Sequence, residues 1–400
     1  MKVYIELKAL PPQELDNMKK NIGVFLLVTP LLMGVSACNK SGAPSSEIIN
    51  DNKVVRLEVE SAKKEYDLRE VFEPSADMKV YAVKKDETRT LVDEADYEID
   101  SSNYVRERAG TYPIEIKSEK YNLSVSYDVK VDILDSFSIL IIGNSHTDDT
   151  IKWTHEIAAN LGLKDVFVAD LYYGSSSMDI HYANLRGNRD AYTYRYYSNG
   201  EWIYRENTSI QYALRARHWD YVCLQEKAWY AALDYEWDLL DIYEDLLLDY
   251  IPADAGTKLC WNITWAYSID LTTSDNALTQ YFDSDQMKMY EAEQDSIVRN
   301  IVPREEIDFI LNGGTAIQNA RSSYLTDHRI NRDYTHLSLT YGRFVAGLNL
   351  IKTLSSVDLT YLSWRPEDVT DVEFQIAIEA VENTQINPFE VTQSIYTEAI

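Results

Sequence analysis

Two periodicities divide the chain. From Val54 to Ile133, short runs alternate apolar and polar residues, as in Val55-Arg56-Leu57-Glu58-Val59, Met78 to Val83, Tyr112 to Ile116 and Leu123 to Val131. A period of two turns one side of each run inward and the other outward, so half-buried strands are predicted. About 80 residues of such strands, with charged turns between them, suit a small β-sandwich. The pattern then changes. Phe137-Ser138-Ile139-Leu140-Ile141-Ile142 is a nearly continuous apolar run, as in a strand covered on both faces within a parallel sheet, and helix-like sequence follows from Ile151 to Leu161. Similar runs recur at Val166–Ala169, Tyr221–Leu224, Leu259–Ile263 and Phe309–Leu311. Five such strands, separated by helical or long polar stretches, predict a doubly wound, flavodoxin-like α/β domain with a five-stranded parallel sheet. Ligands of these sheets bind beyond the carboxyl ends of the strands, so chemistry is sought there.

After the first of these strands comes Gly143-Asn144-Ser145-His146, where a glycine permits a sharp turn and the Ser145 hydroxyl and N–H fall near a helix start that favours an oxyanion. Ser145 ahead of Asp148 also fits an ordinary helix cap. The second strand leads into Tyr173-Gly174-Ser175, whose glycine N–H can approach a reacting carbonyl, and the third into Gln225-Glu226, with a side-chain amide as a donor. Far downstream stands Asp333-Tyr334-Thr335-His336, before an amphipathic stretch from Tyr341 to Leu354. Asp333 and His336, three apart on one loop, can pair so that the carboxylate orients the imidazole while the imidazole takes a proton from Ser145. Six histidines keep the search short, and His328 after Asp327 is the rival base. Between the second and third strands, Ala191 to Tyr204 reads as an aromatic hairpin with an Asn-Gly turn, either a wall at the site or a cover for a sheet edge.

Charge narrows the partner. Lys+Arg 38 against Asp+Glu 65 gives −27, a field that repels phosphate backbones and anionic lipid surfaces, so nucleic-acid binding through a broad basic face is excluded and a neutral partner expected. Thirty Tyr supply flat apolar bodies with polar tips, a surface that suits sugars. Of the three Cys, Cys223 and Cys260 sit in strand-like apolar runs as buried thiols; no zinc spacing occurs, and neither metal nor cofactor is expected.

The amino-terminal segment has a cationic start at Met18-Lys19-Lys20, an apolar run from Ile22 towards Met33, and Val35-Ser36-Ala37-Cys38. It resembles a bacterial lipoprotein signal, which implies cleavage before a diacylated Cys38 and anchoring to the outer or cytoplasmic membrane. Residues 1–17 are then read as upstream of the true start, 39–52 as a tether, 53–133 as the sandwich and 136–400 as the α/β domain. The sandwich, with its Ala109-Gly110-Thr111-Tyr112 turn, resembles bacterial Ig-like modules, which serve as spacers.

The blocks Gly143-Asn144-Ser145, Gly174, Gln225 and Asp333-x-x-His336 resemble those of the SGNH, or GDSL-like, hydrolases. Trp219-Asp220-Tyr221-Val222-Cys223-Leu224-Gln225, Thr264-Trp265-Ala266-Tyr267 and Thr315 to Arg321 resemble more narrowly an uncharacterised lipoprotein branch of that superfamily. The resemblance implies Ser145 as nucleophile, His336 as base and Asp333 as its orienter. It further implies an oxyanion hole of the Ser145 and Gly174 N–H groups with the Gln225 amide, Gln225 standing where the superfamily usually has Gly-x-Asn-Asp. Asn144, Tyr173 and Trp265 are the candidate substrate-binding residues. The expected activity is hydrolysis of ester groups, chiefly O-acetyl, on envelope or exported glycans. The other reading is a non-catalytic glycan-binding lipoprotein on the same fold.

Overall fold

The computed structural model describes residues 52–252, 255–271 and 276–398. Cys38, the signal-like segment and all of the tether but Asn52 lie outside the described residues. No described helix is long and apolar enough to cross a membrane.

The alternating region forms two small sheets. Strands β1 (Val54–Glu60), β3 (Lys79–Lys84) and β4 (Arg89–Leu91) make one; β2 (Glu65–Tyr66), β5 (Glu98–Asp100), β6 (Gly110–Ser118) and β7 (Leu123–Val131) make the other, in the order β2-β7-β6-β5. Leu57, Val80 and Ala82 of the first sheet meet Ile116 of the second in one apolar cluster, the expected result of turning every second residue inward. Arg69, only 4% exposed, fastens this region to the rest. Its guanidinium donates to the Thr353 and Leu354 carbonyls at 2.9 and 2.7 Å and lies over the Phe309 ring at 4.3 Å.

The remainder is a mixed α/β fold around a seven-stranded sheet. Strands β8 (Ser136–Gly143), β9 (Asp165–Tyr172), β12 (Tyr221–Gln225), β13 (Lys258–Ile263) and β14 (Ile307–Asn312) run parallel in the order β9-β8-β12-β13-β14. The expected count of five was too low. The aromatic hairpin, β10 (Tyr192–Ser198) and β11 (Glu201–Thr208), joins the same sheet antiparallel to β9 and lengthens it by two strands. Its Tyr192 and Tyr194 are buried, so it caps an edge with aromatics turned inward.

Burial on both faces explains the continuous apolar runs. In β8, Phe137, Ile139 and Ile141 pack under the helices Tyr341–Ser355 and Asp371–Ile386. Leu140 and Ile142 point the other way, under Met178–Arg186, Ile210–Arg215 and Trp237–Leu248. Cys223 and Cys260 are register neighbours on the first face, both free and buried, and burial pushes the Cys260 thiol well above its ordinary value.

Buried ionisable groups make stability depend on pH. Burial raises the Glu293 and Asp170 carboxyls to about 8 and lowers His146 and His181 to about 3. A carboxyl with a raised value holds a proton that the unfolded chain has released, so its contribution is lost as pH rises towards 8. Buried neutral histidines act in the opposite sense, but only below the ordinary value of 6.5. Between pH 6.5 and 8 this opposing effect is absent, and unfolding free energy should fall by up to about 1.4 kcal/mol per pH unit for each carboxyl. Denaturant unfolding of Glu293→Gln across this range should show a shallower decline than the parent; an equal slope would contradict it.

Candidate active site

The site sits at the carboxyl ends of β8, β9, β12 and β13. Ser145 opens the helix Ser145–Ile151, but it is not the cap: the Asn144 side chain accepts the His146 N–H at 3.0 Å, leaving the serine hydroxyl to face outward. Gly143 has no left-handed backbone, so the turn does not need glycine for its dihedrals. It needs the space. A β-carbon there would stand 2.4 Å from Thr147 Cγ2 and 2.8 Å from Gln225 Cδ, both in the core. Gly143→Ala should therefore cost about 1–3 kcal/mol in denaturant unfolding through overpacking, with a loss of whatever activity Ser145 carries.

Ser145 Oγ lies 2.7 Å from His336 Nε2, and His336 Nδ1 lies 2.9 Å from Asp333 Oδ2. The Asp333 carboxylate also accepts the Thr335 and His336 backbone N–H groups at 2.9 and 2.8 Å. Burial works to raise its carboxyl, but these hydrogen bonds and the imidazole outweigh it and hold it below the ordinary range. An ionised carboxylate fixes the ring so that Nε2 can accept the serine proton, the arrangement that activates a hydroxyl for attack. His328 takes no part in this chain of hydrogen bonds.

Two backbone N–H groups, one on the nucleophile turn and one on the loop tied to it, have no backbone acceptor among the described residues. As first residue of its helix, Ser145 has an N–H without an intrahelical acceptor. Among the described residues, no backbone carbonyl accepts from the Gly174 N–H. The loop bearing Gly174 is tied to the nucleophile turn by Tyr173 N–H to the Gly143 carbonyl at 3.0 Å and Asn144 Nδ2 to the Ser176 carbonyl at 3.0 Å.

The other expected residues are placed differently. Gln225 is 3% exposed, and both ends of its amide are engaged: Nε2 donates to Asn144 Oδ1 at 3.0 Å and Oε1 accepts from Asn262 at 2.9 Å. Through these two hydrogen bonds it braces the nucleophile turn from beneath. Asn144, 2% exposed, spends its amide in the same relay, which corrects the expectation that it contacts substrate. Trp265 is 1% exposed and donates its indole N–H to the Thr335 carbonyl at 2.8 Å, supporting the base loop rather than lining a surface. Tyr173 stays half-buried, its ring 5.6 Å from Tyr192.

Asp149 was not among the residues expected at the site. Fully buried on the nucleophile's own helix, it accepts the Leu337 N–H at 2.9 Å and ion-pairs Arg332 and Arg343, each at 2.8 Å. The loop carrying the base is thus pinned to the helix carrying the serine. Its signal was the spacing: a carboxylate four residues after Ser145 shares that residue's helix face. Glu226 was likewise passed over; buried, it accepts the Met178 N–H at 2.9 Å and so holds the helix that follows the Gly174 loop. Among the described residues, no group of three or more His, Cys, Asp or Glu is placed to hold a metal ion.

The chain belongs to the DUF4886 family, described as a domain of unknown function, whose model matches residues 138–384. A crystal structure of a DUF4886 family protein from Bacteroides uniformis is 29% identical, with a TM-score of 0.59, covering 66% of this chain and 100% of that one. A candidate SGNH hydrolase from Slackia heliotrinireducens is 17% identical at a TM-score of 0.35, covering 55% of this chain and 100% of its own. A catalytic mutant of an acetylxylan esterase from Geobacillus stearothermophilus is 10% identical at 0.30, covering 57% of this chain and 95% of its own. Likenesses as faint as the last two carry no argument about chemistry. No curated protein matches the chain.

Proposed function

We propose that the protein is a serine ester hydrolase that removes acyl groups, chiefly acetyl, from carbohydrate at the bacterial cell envelope. One observation carries the reading: the unbroken hydrogen-bonded series from Asp333 through His336 to the Ser145 hydroxyl, with distances of 2.9 and 2.7 Å. Ser145 Oγ attacks the ester carbonyl while His336 Nε2 takes its proton. The oxygen that gains charge is received by the Ser145 and Gly174 N–H groups, acting as backbone donors. His336 returns the proton to the departing alcohol oxygen, which leaves as a sugar hydroxyl. Water, deprotonated by His336 in turn, then releases the carboxylate and frees the serine.

The acyl-sugar assignment draws on the resemblance of the motif blocks, the richness in tyrosine and the net charge of −27, which disfavours polyanionic substrates. The lipoprotein-like signal supports export and anchoring through Cys38, with the β-sandwich as a spacer. The experiment is acetate release by the full chain from acetylated xylan and from an aryl acetate. Release from both supports the reading, release from the aryl ester alone removes the carbohydrate assignment, and release from neither removes the esterase.

A further inference from the structure

We propose that the cleft between Trp229, Tyr281 and Tyr334 is a binding subsite for one neutral pyranose ring of a glycan. This deepens the esterase reading and rests on it. The cleft measures about 210 Å³, and Trp229, Tyr267, Tyr281 and Tyr334 line it together with Asn276 and Gln280. That is below the ~300–1,000 Å³ of pockets that enclose a drug-sized ligand, a space for a single ring.

Its place ties it to Ser145. Trp229 follows the end of β12 and Tyr267 the end of β13, while Tyr334 lies within the loop between Asp333 and His336. The Tyr334 carbonyl accepts the Ser268 N–H at 2.8 Å, and its ring meets Tyr267 edge-on at 5.8 Å. Tyr267 stacks on His146 at 6.4 Å, and His146 is 6.0 Å from His336. One wall of the cleft is thus built from the loop that carries the base.

Its chemistry selects the ligand. Trp229 and Tyr281 stack nearly parallel, 5.3 Å apart at 8°, and Tyr281 remains 44% exposed. Aromatic bodies with polar tips receive the C–H face of a sugar ring, and the exposed Gln280 carboxamide can exchange hydrogen bonds with its hydroxyls. Among the described residues, no charged side chain lines the cleft, although the protein carries 103 charged residues, 38 basic and 65 acidic. A phosphorylated or carboxylated ligand would find no cation here, whereas a neutral polyol needs none.

The test is calorimetric titration of the full chain with xylotetraose and with mannotetraose. At least one should bind, with affinity lowered about tenfold or more in Trp229→Ala and in Tyr281→Ala, as expected where a central aromatic anchor is truncated. Trp229→Phe should recover part of the loss, and Tyr361→Ala, an exposed aromatic outside the cleft, should bind like the parent. Unfolding midpoints of the variants confirm that they are folded. Binding of neither sugar, or equal binding by parent and both alanine variants, overturns the subsite. Aryl acetate hydrolysis by the parent separates the two proposals: hydrolysis without sugar binding removes the subsite alone, and sugar binding without hydrolysis removes the esterase alone.

Discussion

Ser145→Ala should lower kcat for an aryl acetate by roughly 10³–10⁶-fold, and His336→Ala by a similar factor. The two losses should not add. With Ser145 Oγ 2.7 Å from His336 Nε2, neither group has its function without the other, so the double variant should be no slower than the worse single one. The residual rate would come from substrate binding and the backbone donors, which both substitutions leave in place. Steady-state kinetics on the three variants, with unfolding midpoints as a control, checks this. Losses that multiply would mean the two residues act independently, contrary to the mechanism.

The second large effect should come from a residue that touches no substrate. Asp149 is fully buried and holds Arg332, Arg343 and the Leu337 N–H together, so Asp149→Ala leaves two guanidiniums without their shared carboxylate. Breaking a buried pair from one side costs about 3–5 kcal/mol. It also frees the base loop from the nucleophile's helix, and a misplacement of about 1 Å at a reacting group costs roughly a hundredfold in rate. Asp149→Asn retains an acceptor for the Leu337 N–H and should recover part of kcat while remaining less stable than the parent. Measured well below the unfolding midpoint, the alanine variant should lose kcat with KM little changed. A purely structural role would alter stability and leave kcat of the folded fraction intact.

What the sequence made legible follows from the range of the forces involved. The five parallel strands were visible because burial on both faces writes a local, nearly continuous apolar run, and β8 and β12 are buried along almost their whole length. The hairpin was also visible through its Asn-Gly turn, but nothing local says which sheet edge β10 will join, so the sheet was counted two strands short. Ser145, Asp333 and His336 stood out because each sits in a short motif. Gln225 was read from its position after a strand, whereas its role depends on Asn262 across the neighbouring strand, a contact made only by folding. Trp265 illustrates the same gap: an aromatic residue reads alike whether its indole faces a ligand or a buried carbonyl, and here it meets the Thr335 carbonyl. Asp149 looked like one acid among 65 Asp and Glu until the loop folded back onto it.

The most direct measurement is covalent labelling of the full chain with an alkyl fluorophosphonate, followed by peptide mass mapping. One phosphonyl group is expected, on Ser145, with loss of esterase activity in step with labelling and labelling greatly slowed in His336→Ala. Inactivation with the label on another residue, or ester hydrolysis that continues with Ser145 fully labelled, would contradict the mechanism.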